Sequence, residues 1–184
     1  KALIKELDRN AYNKMVLEVG PSSAKVLDQL TSDATQTVAT LKTMNQQYGL
    51  ARKEKLLAPI PEFKSKEAAE YLQTAKENNW TLWGIGPESW ISYTMLIDEL
   101  YHNLSTANKA KHQISFSAAK SFLVESYASV PKQSNEELAK FTTALKSSKV
   151  FNDFLAQMAT YDKNSSLLEE LNYSLKHWSL YGKR

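Results

Sequence analysis

Glu99-Leu100-Tyr101-His102 is the run whose residue types and spacing come closest to a metal site. An E-x-x-H on a helix sets a carboxylate and an imidazole on one face, as carboxylate-bridged bundles require. Such sites also need a second E-x-x-H and two further carboxylates on facing helices. His112 and His177 have no Glu three residues before them, so that second half is missing. Asp98 and Glu99 then read as a solvated face opposite Ile97 and Leu100, and neither a metal nor any other cofactor is expected. With three histidines far apart, no G-x-S-x-G and no P-loop, nucleophilic and phosphoryl-transfer chemistry find no support. The absence of cysteine excludes disulfides, thiolate ligands and cysteine nucleophiles together. No catalytic residue is expected, and the chain reads as a non-enzyme.

The segment Trp80 to Pro87, WTLWGIGP, places Trp80 and Trp83 beside two glycines. A lone G-x-G is no phosphate loop, and the indoles read as covers for the edge of a core. The net charge of +3 is mild, and the densest basic cluster, Arg52 to Lys55, is interrupted by Glu54. That pattern reads as a solvated helix surface, so no nucleic-acid partner is expected. Apolar content of 42% and charged content of 23% suit a soluble globular chain. No apolar run reaches the ~18 residues of a membrane span. The chain opens at Lys1 rather than Met, so an anchor or targeting segment is expected to have preceded it.

These residues must be positioned by elements read from periodicity. Residues 1–19 suit a helix, which Gly20-Pro21 breaks because proline cannot continue the helical ladder. The next helix, capped by Ser22 or Ser23, carries a seven-residue period. Leu27, Ala34, Leu41 and Tyr48 fall at one position, and Leu30, Thr37 and Met44 at the other. Such a seam suits helix-against-helix packing, within the chain or against a partner. Leu27, Leu30, Leu41, Met44 and Tyr48 are therefore the candidate partner-binding residues. The segment Leu57 to Phe63, with Pro59 and Pro61, reads as a rigid linker. The expected division is a helical, coiled segment over 1–60 and a second domain over 61–184.

Beyond the linker, a short helix over about 65–78 precedes Gly86-Pro87-Glu88, which reads as a helix start. Trp90, Tyr93, Ile97, Leu100 and Leu104 follow at helical spacing. The period then shortens to two. Ile114 and Phe116 alternate with polar residues, and Phe122, Val124, Ala128 and Val130 fall on alternate positions with Ser126 the one polar break, so two strands are expected. Ser134 and Glu137 form a capping box before the stripe Leu138, Phe141 and Leu145. Phe154, Ala156 and Met158 alternate again, and so do Leu171, Tyr173 and Leu175. The last segment also fits a helix, through Leu168, Leu171, Leu175 and Trp178 with Ser166 and Glu169 as a capping box; the strand reading is preferred. The predicted fold is α+β, an N-terminal coiled segment followed by a ferredoxin-like αββαββ layer. The alternative is an all-α helical bundle.

Trp90 leading to Leu96-Ile97-Asp98-Glu99-Leu100, then Val124-Glu125-Ser126-Tyr127-Ala128, then Phe141, Leu145, Ser148 and Phe151 follow a recognisable order. In this order the second half resembles the periplasmic domains of PilN-type pilus-assembly proteins and the related GspL-type secretion proteins. Ser126 stands where that family has glycine. The resemblance implies a non-enzymatic scaffold of type IV pilus assembly or type II secretion. Such a protein sits in the periplasm, held to the inner membrane by a segment absent from this chain, and pairs with a similar subunit as homo- or heterodimer. A rival expectation is an all-helical extracytoplasmic sensor whose ligand lies near Trp80 to Trp90.

Overall fold

The computed structural model describes residues 4, 6–7, 12–52, 55–132 and 134–180. Two units, Lys1–Ser92 and Tyr93–Arg184, each hold their own set of contacts. The segment Leu57 to Phe63 lies inside the first.

In the first unit, β1 (Lys14–Leu17) pairs in parallel with β4 (Thr81–Gly84), Val16 standing opposite Trp83. Side chains alternate across β1: Met15 and Leu17 are buried, Lys14 and Val16 exposed, as a period of two dictates for a sheet covered on one face. Parallel strands need a long crossover, and here it comprises most of the unit. It runs through α1 (Pro21–Leu30), which packs on β4, then α2 (Thr37–Tyr48), the short hairpin β2 (Leu50–Arg52) and β3 (Lys55–Leu57), and α3 (Lys66–Glu77). Helices α2 and α3 pack on each other. Pro21 begins α1 because its fixed φ suits the first helical position and its missing N–H costs nothing there.

The second unit is helical throughout its described residues. It comprises α4 (Tyr93–His102), α5 (Thr106–Ser126), α6 (Asn135–Ser147), α7 (Lys149–Met158) and α8 (Ser165–Leu180). The α+β expectation fails here: among the described residues there is no αββαββ layer, and the sheets are two pairs of very short strands in the first unit. The segments read as strands over 112–130 form α5 and the 3-10 turn Tyr127–Ser129 after it; the N-cap of α5, Ser105, accepts from Asn108 N–H. Its buried positions are His112, Ala119 and Leu123, with Tyr127 just beyond, which is helical spacing carried partly by residues that do not score as apolar. Ile114 is 85% exposed and Val124 51%, whereas Phe116 is half-buried against Tyr101 and Val130 fully buried, so the alternating apolar residues share no one face. Ser115 and Ser126 bond back to the carbonyls of His112 and Phe122, as serines inside helices do.

Two further expected strands are helices for the same reason. Phe151, Phe154, Leu155 and Met158 form the buried stripe of α7, and Leu167, Leu168, Leu171 and Leu175 that of α8, while Tyr173 is exposed. The expected start at Gly86 to Glu88 is also displaced, because α4 opens at Tyr93 and Glu88 serves α1 instead. Helix α6 begins where its residues predict, but Glu137 Oε2 accepts from Lys132 N–H at 2.8 Å in place of the Ser134 amide a capping box would use. Ser134 Oγ accepts from Glu137 N–H, and Leu138, Phe141 and Leu145 are buried.

Aromatic rings and one ion pair knit this unit. The Phe141 ring stacks near Tyr93 and Tyr127, and the Tyr127 hydroxyl lies 2.9 Å from Thr94 Oγ1. Burial pushes the Tyr127 phenol well above its ordinary pKa. Asp98 is not solvated: it is buried, and Lys120 Nζ donates to both its oxygens at 2.7 and 2.8 Å, fixing α5 against α4. Asn164, wholly buried, donates to the Leu100 and Met158 carbonyls and accepts from Asn103, which closes the turn into α8.

Candidate functional site

In parallel sheets ligands gather at the carboxyl ends of the strands. In this chain a carboxylate of the protein's own occupies that position. The loop after β4 crosses the β1–α1 turn, and Glu88, fully buried, places its side chain on the N-terminus of α1. Its Oε1 accepts from Ser22 N–H at 2.7 Å and Ser23 N–H at 3.2 Å, and its Oε2 from Ser23 N–H and Oγ. Gly20, the N-cap, has no side chain to do this, so the cap arrives from 66 residues away. The crossing needs glycine. A Cβ on Gly20 would lie 2.1 Å from Glu88 Cδ, and one on Gly84 would lie 2.4 Å from the Gly20 carbonyl oxygen. This arrangement binds the fold, with a negative charge where the helix dipole favours one.

The tryptophans beside it divide by role. Trp80 and Trp90 are buried, as covers of a core should be, whereas Trp83 is 52% exposed and carries the Lys14 ammonium 4.1 Å from its ring centroid. Glu99 is half-buried on α4 and His102 exposed. Among the described residues no group of three or more His, Asp or Glu is placed to hold a metal. His112 is engaged elsewhere. Its Nδ1 lies 2.9 Å from Gln157 Oε1, which can only accept, so Nδ1 carries the proton and Nε2 accepts from the Tyr161 hydroxyl at 2.9 Å. Ser115 Oγ donates to the same Gln157 oxygen at 2.6 Å and not to the imidazole. A serine placed so is not activated for attack; the cluster clamps α5 to α7.

The five seam residues do not share one helix. Thr31 ends α1, its N–H and hydroxyl both returning to the Leu27 carbonyl, and Asp33 then accepts from Thr35 N–H and Oγ1 to start a 3-10 turn. Turn chemistry at 31–35 thus cuts the seven-residue period, and with it the coiled segment. Leu27, Leu41 and Met44 are buried, Tyr48 is half-buried, and Leu30 is 45% exposed.

The feature with the character of a ligand site lies between α2 and α3, a cavity of about 430 Å³ with an open mouth. Leu41, Phe63 and Ala69 supply an apolar floor, and Val38 and Leu56 stand at the side. Asn45 is the one buried polar residue of the lining. Its Nδ2 donates to the Phe63 carbonyl at 3.3 Å, and its Oδ1, closed to solvent, has no hydrogen-bond partner among the described residues. A buried acceptor without a partner is costly. Among the described residues the exposed rim holds Lys42, Lys64 and Lys66. Ser65 caps α3 at the same rim, accepting from Ala68 N–H at 3.2 Å. The neighbouring Glu67 carboxylate bonds its own amide and the side chain of Ser65 at this rim, which hold it below the usual range.

Sequence reasoning passed over Asn45. The signal was an amide lodged in the stripe Leu41, Met44 and Asn45, where a surface residue would not fall.

No family model matches the chain, and neither does any curated protein or solved structure. No helix of the described residues is long and apolar enough to cross a membrane. The comparisons bear neither on the expected pilus or secretion role, nor on a periplasmic location, nor on a similar-subunit partner. The residues that carried the resemblance at Val124 to Ala128 lie on α5 and the 3-10 turn after it, so the fold lends that reading no weight.

Proposed function

We propose that this protein is a binding module whose first unit takes up a small organic molecule between α2 and α3, without turnover. The observation that carries the reading is the cavity itself, floored by the buried Leu41, Phe63 and Ala69 with the buried amide residue Asn45 in its lining. Its volume of about 430 Å³ falls in the range of small-molecule pockets, which are mostly apolar with a few placed polar groups. The reading retains the ligand-binding part of the sensor expectation and moves the site from the Trp80 to Trp90 segment to the α2–α3 pair.

Val38 lies half-buried at the side of the cavity, so Val38→Trp should fill it from the rim without disturbing the floor. Ligand-observed NMR with a library of soluble fragments is expected to give hits on the native protein. V38W should abolish them while shifting the thermal transition by no more than about 0.5 kcal/mol, as rim substitutions do. Hits that survive V38W, or no hits at all, would refute the assignment.

A further inference from the structure

The parallel sheet of the first unit has one edge that is complementary to itself. We infer that a second copy of this chain docks there, β1 against β1 across a two-fold axis at Val16, to make a continuous four-stranded sheet. The surface shares no residue with the α2–α3 cavity, so the inference stands apart from the small-molecule reading.

The backbone sets which groups are available. Thr81 N–H donates to the Asn13 carbonyl and Ile85 N–H to the Leu17 carbonyl. Odd-numbered residues of β1 therefore turn their backbone groups to β4, and Lys14 and Val16 turn theirs away. The opposite edge is closed from within. Leu82 N–H, on the outer side of β4, donates to Asp28 Oδ1 at 3.1 Å, and Lys76 holds that carboxylate at 2.6 Å. Among the described residues no strand lies on the outer side of β1. Two strands alone make a marginal sheet, and an open edge is a template for a further strand.

The side chains select the partner. Lys14, Val16 and Glu18 are exposed at alternate positions, while Met15, Leu17 and Val19 between them are buried. Antiparallel pairing about Val16 sets each Val16 against its counterpart and each Lys14 against the second copy's Glu18. Cross-strand neighbours of opposite charge attract, and the two-fold axis forms the pair twice. Centring the axis on Lys14 or Glu18 instead would set like charges face to face, so the charges fix the register. Val16 stands opposite Trp83 within one copy, so the pairing lines up Val16 and Trp83 of both copies in one row on the exposed face. So short an edge covers less than the ~1,200 Å² of a standard interface, which makes this a weak, reversible dimer.

Sedimentation of the full chain at low salt should show a monomer–dimer equilibrium with a dissociation constant on the order of 100 µM. Lys14→Glu and Glu18→Lys should each weaken it about tenfold, because both pairs turn from opposite to like charge. Mixed in equal amounts, the two variants should associate with each other, since one chain offers two glutamates where the other offers two lysines. The chain carrying both exchanges should recover the native behaviour. Val16→Pro should abolish pairing, as it removes an outward N–H that the β1–β4 ladder does not use. The charge exchanges stand without that variant if it fails to fold. A native chain that stays monomeric at millimolar concentration would overturn the inference. So would a dimer that both single exchanges leave intact, or a mixture of the two that stays monomeric.

Discussion

Glu88→Ala is expected to lower the stability of the first unit by about 3 kcal/mol or more. Its carboxylate accepts from Ser22 and Ser23 at the head of α1, and each buried donor left without a partner costs roughly 1–3 kcal/mol. The fixed charge at the helix start adds to that. For a domain of this size the shift corresponds to roughly 12–24 °C. Tryptophan fluorescence reads it directly, because Trp80, Trp83 and Trp90 lie in the first unit. Glu88→Gln should cost less, about 1–2 kcal/mol, since the amide oxygen keeps an acceptor while its nitrogen faces donors it cannot serve. If E88A melts with the native protein, Glu88 does not hold the crossing of the two loops.

Leu41→Asp is expected to unfold the first unit at ordinary temperature. Leu41 is 1% exposed, and an aspartate there would lose the apolar contacts and bury an unpaired carboxylate. The leucine truncation alone costs about 2–5 kcal/mol, and the unsolvated charge adds several more, against a total stability of about 5–15 kcal/mol. Circular dichroism and sedimentation on one sample separate the alternatives. Lost helix signal with no change in the native protein's oligomer mass places Leu41 in an internal core. A folded variant that has lost a native dimer would restore the partner seam through Leu27, Leu30, Leu41, Met44 and Tyr48.

What could be read from sequence followed where each signal was stored. The α6 start was legible because Ser134 and Glu137 are three residues apart and the stripe Leu138, Phe141 and Leu145 is purely apolar. The α5 helix was not, because its buried face includes His112 and Ala119 while Ile114 and Val124 face outward. A hydrophobic alternation that follows no one face then mimics a strand. The seam failed differently: Leu27 and Leu41 are buried as a seam would have them, yet Thr31 to Thr35 turns the chain between them. The α1 cap was beyond local reading, since Gly20 offers no side chain and Glu88 arrives from the other strand. Asn45 was visible as an anomaly in the α2 stripe, but only its fixed amide and the cavity beside it give that anomaly a meaning.

The most direct test of the account is a pair of proton–nitrogen correlation spectra, recorded with and without a fragment whose binding V38W abolishes. The predicted result is a set of shifts confined to residues 38–46 and 56–69, with the Asn45 side-chain amide among the largest. Shifts centred on other residues, or a spectrum unchanged at millimolar ligand, would contradict it.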